Sequence, residues 1–96
     1  MYNDNNARDE FKQRLQTLSK NADKALLRVK DAKFMDVDKK VKLVTQLDTV
    51  IRRCSLLSQL LGLAATVAEF NSLQAREMDF IRSAEQSLAT MNHVLL

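Results

Sequence analysis

Residues 54–68 read Cys-Ser-Leu-Leu-Ser-Gln-Leu-Leu-Gly-Leu-Ala-Ala-Thr-Val-Ala and carry no charge, in a chain that is 28% charged. Such a run is built to be surrounded, and its apolar spacing is helical. One seam passes through Leu43, Leu47, Val50, Cys54, Leu57, Leu61, Ala64 and Ala68. A second, Leu56, Leu60, Leu63, Val67 and Phe70, starts about 100° further round the helix. One seam serves an ordinary surface helix, whereas two ask for two sets of neighbours. The stretch is therefore expected to be the buried half of a long central helix over about 37–70, with the other helices arranged around it. A third line, Ser55, Ser58, Gly62 and Ala65, is small throughout. It either admits another backbone or faces solvent; a helix-interior glycine, costing roughly 1 kcal/mol, usually has a packing reason.

Upstream, Phe11, Leu15, Leu18, Ala22, Ala25, Val29 and Ala32 recur at steps of four and three, an unbroken heptad seam. Asn5 or Asn6 suits the cap, and Asp9 and Glu10 suit the positive end, of a helix over about 6–33. The next seam positions fall on Asp36 and Lys39, which no core accepts unpaired, so a break is expected within Phe34–Asp38, where Asp36 and Asp38 are good caps. Downstream, Asn71-Ser72 with Gln74 three residues after Asn71 resembles a capping box. A last helix over about 72–93 follows, with Met78, Ile81, Ala84, Leu88, Met91 and Leu95 on one face and Leu73 and Phe80 flanking it. Residues 1–5 form a polar lead-in, and Val94-Leu95-Leu96 is expected to dock.

Composition narrows the class. The 96 residues allow one domain, 1–96, with a modest core that oligomerisation would supplement. No proline and one glycine exclude the turn chemistry of an all-β fold. With four Phe, one Tyr and no Trp, the core must be aliphatic. A single Cys fits a reducing compartment, Met-Tyr-Asn-Asp-Asn-Asn is no signal peptide, and the 15-residue neutral run falls short of the about 20 that a membrane span needs. These features predict a cytoplasmic, intracellular protein without a membrane partner.

Catalytic chemistry finds little footing. His93 reads as a helix-end side chain near free carbonyls, and Cys54, on the main seam, as a small buried hydrophobe. Zinc spacings, phosphate loops and nucleophile elbows are absent, and the acids do not cluster on an apolar face. The all-helical chorismate mutases are similar in size and class; they are intertwined three-helix dimers whose Arg and Lys residues grip a dicarboxylate. Arg28, Lys39, Arg52 and Gln86 are residue types of that kind, but the likeness extends to size and class alone. The chain is accordingly read as non-enzymatic, without cofactor, metal or small-molecule substrate.

The basic side chains are the other lead. Residues 1–53 hold 13 Lys and Arg against 8 Asp and Glu, and residues 54–96 hold 2 against 4. Lys20, Lys24 and Arg28 recur along the first helix, and Lys42, Gln46, Thr49 and Arg53 along the second, with Lys39 and Arg52 beside them. Such side chains position phosphates, and a dimer presenting two rows would read the shape of a duplex, as small helical viral suppressors of RNA silencing do with RNA. The alternative is a solvated face of a mildly basic protein. Lying off the seams, Lys42, Arg52 and Arg53 are expected to be replaceable by Ala without loss of fold.

The sequence thus predicts an all-α, three-helix antiparallel bundle with a long central helix, forming an intertwined or packed homodimer. Val50, Leu56, Leu57, Ser58, Leu60, Leu61, Gly62, Leu63, Ala65 and Val67 are expected to supply its interface and core. The predicted role is a small regulatory or adaptor protein binding a protein partner; the alternative is a duplex RNA or DNA binder.

Overall fold

The computed structural model describes residues 4–95, and the side chains of residues 7–93. Three helices follow one another: α1 (Asp4–Asp31), α2 (Val37–Leu63) and α3 (Val67–Leu95). Among the described residues there is no strand. The chain runs up, down and up within 51 × 22 × 18 Å. The expected docking of Val94-Leu95-Leu96 lies outside the described side chains; of the expected lead-in over residues 1–5, residues 1–3 lie outside the described residues, and Asp4 and Asn5 belong to α1.

α1 is the helix on which the bundle is built. Its seam is buried as the heptad predicts: Phe11, Leu15, Leu18, Ala22, Ala25 and Val29 all lie in the core, and Ala32, past the helix end, is half-buried. α1 packs along both other helices, whereas α2 and α3 touch each other little. It begins at Asp4, ahead of Asn5 and Asn6, which were expected to cap it. Its C-terminal carbonyls are taken up by Lys40 of α2, whose Nζ donates to Lys30 O at 2.8 Å and Ala32 O at 3.2 Å. Asp36 occupies the N-cap of α2 as expected, but its side chain makes no capping hydrogen bond; its carbonyl accepts the Lys40 N–H at 2.8 Å, the first bond of the helix.

The second break corrects the expected boundaries. α2 ends at Leu63 and α3 starts at Val67, so Asn71 and Ser72 lie inside α3 and are exposed. The apolar period carries through Ala64 to Ala68 and hides the break, but the polar groups around it are well satisfied. Thr66 Oγ1 accepts the Glu69 N–H at 3.1 Å, and the Glu69 carboxylate accepts the Ala65 N–H at 3.1 Å. Thr66-Val67-Ala68-Glu69 thus carries the Thr-x-x-Glu capping signature, and Asn71-Gln74 does not act as one. Arg8 of α1 closes the corner, donating to Ala64 O at 2.7 Å and Thr66 O at 3.2 Å. Its guanidinium lies 5.3 Å from the Phe70 ring centre, and Phe70 meets Phe11 edge to face at 5.9 Å. At 27 residues, α2 is shorter than expected, and the three helices are nearly equal in length.

Candidate functional site

Of the cations expected to be available, Arg53 is committed within the bundle. Arg53 donates to both carboxylate oxygens of Glu77 at 2.8 Å and lies over the Phe80 ring at 5.8 Å. Glu77 is buried and occupies the α3 seam between Leu73 and Ile81, where Met78 had been expected; Met78 itself is half-buried. Arg76 adds a longer bond to Glu77 at 3.3 Å. Because α2 and α3 otherwise touch little, this pair is a main polar tie between them. Arg53 is therefore not the dispensable surface cation that its place off the seams suggested. Arg14 binds Glu85 through Nε at 2.9 Å and Nη2 at 2.6 Å, tying α1 to α3. These hydrogen bonds hold the Glu85 carboxyl below its ordinary value and keep the Arg14 guanidinium charged. Arg52 pairs with Asp48 at 3.0 Å on the surface, and Thr49 Oγ1 donates to Thr45 O at 2.9 Å.

The remaining basic side chains do not form one continuous surface. Lys20, Lys24 and Arg28 are exposed along α1. Lys20 lines a recess between α1 and α2 with Gln16, Ser55 and Ser58. Lys39 and Gln46 stand on the other flank of α2, in the opening left between α2 and α3, and Lys42 is exposed on the same helix. That opening encloses about 470 Å³. Met35, Leu43 and Met91 give it an apolar side, and Lys39, Gln46, Ser83, Gln86 and Thr90 a polar one. Arg28 and Arg52 do not line it, so of the four residue types noted for dicarboxylate binding only Lys39 and Gln86 come together.

The predicted interface residues divide between core and surface. Val50, Leu57 and Leu61 are buried within the chain, and Leu60 is half-buried. Leu56 (44%), Leu63 (75%) and Val67 (44%) are exposed, as are Ser58, Gly62 and Ala65. A Cβ placed on Gly62 would meet nothing within 4 Å, so none of the described elements comes close at Gly62 itself, while Ser55 and Ser58 border the recess beside α1. The second stripe splits accordingly: Phe70 enters the core from α3, while Leu56, Leu63 and Val67 are left outside. At the other end of α2, Phe34, Val37 and Val41 are also exposed. These three were missed because their seam positions are irregular, and their exposure depends on where α1 and α3 lie.

Cys54 is buried, and desolvation raises its thiol to about 11, so it offers no nucleophile near neutrality. His93 is exposed in the last turn of α3. Among the described residues no cluster of His, Cys, Asp or Glu could hold a metal ion, and no helix is long and apolar enough to cross a membrane. No protein-family model, curated protein or solved structure matches the chain.

Proposed function

We propose that the chain is a small non-enzymatic binding protein that works through its helical surfaces as a homodimer. The observation that supports this is the gathering of exposed large apolar side chains at the two ends of α2: Phe34, Val37 and Val41 at one, Leu56, Leu63 and Val67 at the other. A soluble chain that buries its α1 seam completely has no folding need for these side chains, and clustered exposed apolar surface marks an interaction site. Leu63→Asp tests the reading. The side chain is already exposed, so helicity should stay close to wild type, while association seen by gel filtration should be lost, and with it the concentration dependence of the thermal midpoint. Wild-type association by Leu63→Asp would remove this surface from the interface.

A second reading, duplex nucleic-acid binding, draws on the exposed Lys20, Lys24 and Arg28 row, which carries no ion pair among the described residues. It is weakened by the commitment of Arg53 to Glu77. Replacing the three α1 cations by Ala should flatten the salt dependence of duplex binding by up to about one unit per contact. Wild type that leaves duplex RNA and DNA unshifted at low salt rules the reading out.

A further inference from the structure

We propose that the partner seated on α2 is the α2 of a second copy, antiparallel to it, with the twofold axis passing beside position 50. This rests on the homodimer reading above and fixes its register. Val37, Val41, Asp48, Arg52, Leu56 and Leu63 fall within about 100° of arc on α2, with the exposed Asp38, Thr45, Ser55 and Gln59 among them. They lie opposite the buried Leu47, Val50, Cys54, Leu57 and Leu61. The face they form is outward, about 40 Å long, and covered by neither α1 nor α3.

The order of side chains on this face is self-complementary. In an antiparallel isologous pair, residues equally far before and after the axis lie opposite each other. About position 50, Val37 meets the partner's Leu63, and Val41 meets the aliphatic stem of the partner's Gln59. Asp48 meets the partner's Arg52, and Arg52 meets the partner's Asp48. The two charges now bonded within one chain at 3.0 Å, with Arg52 81% and Asp48 47% exposed, become an alternating ring of four at the centre of the contact. Phe34 and Val67, just beyond the two ends of α2, come to the same end of the pair. Among the described residues, six of the seven exposed large apolar side chains are then on or beside one contact, Leu27 standing apart. A crossing centred on Gly62 leaves Val37 and Val41 uncovered and gives Asp48 no opposite charge, so the charge pattern selects position 50 over the small-residue line.

Charge reversal reads the register directly. In Asp48→Arg the four central charges are all positive, and in Arg52→Asp all negative. Each variant alone should fold as wild type by circular dichroism, and each should weaken self-association by about tenfold or more. Mixing the two should restore association as a heterodimer, since each then faces its opposite. The double variant Asp48→Arg/Arg52→Asp should pair like wild type. A wild type that dimerises while both single variants dimerise equally well, or while the mixture gains nothing, overturns the register and leaves the homodimer reading standing. A wild type that is monomeric throughout overturns both.

Discussion

Glu77 shows how one side chain sets the terms for its neighbours. A carboxylate this deeply buried is stable only when paired, and Arg53 makes both of the short bonds to it. Arg53→Ala should lower the unfolding free energy by about 1–3 kcal/mol in urea titrations, whereas Lys42→Ala, at an exposed position, should change it little. Equal effects would mean that Arg76 alone can hold Glu77. Glu85 brings a pH dependence. Its carboxyl is held low first by hydrogen bonds from Arg14, with burial opposing. A carboxyl depressed in the folded state contributes stability that is complete above its unfolded value and lost as pH falls through the folded one. The urea midpoint should therefore drop as pH is lowered from neutrality through the carboxylate range, and Glu85→Gln should flatten that drop. Cys54 should resist thiol reagents in the native protein and react once the chain unfolds.

Among the helices, the buried seam of α1 was legible because its core positions repeat without interruption from Phe11 to Val29 and no competing signal intervenes, although its start was misplaced. The end of α2 was not, because Leu61, Ala64 and Ala68 continue the period across a real break. Period alone cannot see a corner that is closed by Arg8, more than 50 residues away in sequence. The Thr66–Glu69 capping signature was the local clue, and Asn71–Gln74 offered a similar one. Thr66→Ala should cost about 1 kcal/mol in unfolding free energy, while Asn71→Ala, now inside α3, should be neutral or slightly stabilising. The Arg53–Glu77 pair and the outward face of α2 were hidden for a related reason: both depend on how the helices are turned toward one another. Gly62 adds a discriminating case. Its missing Cβ has open space around it, so Gly62→Ala should stabilise the chain by up to about 1 kcal/mol and leave association intact. Loss of association in that variant would place the crossing on the small-residue line instead.

At the scale of the whole molecule, the bundle is closed along α1 and open along α2. The α1 seam is buried on both neighbours, and every buried side-chain nitrogen and oxygen among the described residues has a partner. What is left over is concentrated on α2, where Val37, Val41, Leu56 and Leu63 flank the Asp48–Arg52 pair with Thr45, Ser55 and Gln59 between them. Burying a Val or Leu contributes about 1.5–3 kcal/mol, so four such residues per chain are enough to drive association once the cost of joining two bodies is met. The central claim is that this surface joins two copies. Sedimentation equilibrium of the wild-type chain over a concentration range reaching roughly tens of micromolar tests it most directly. The account predicts a mass rising to twice the 11.0 kDa of the chain, and a mass that stays at 11.0 kDa throughout would contradict it.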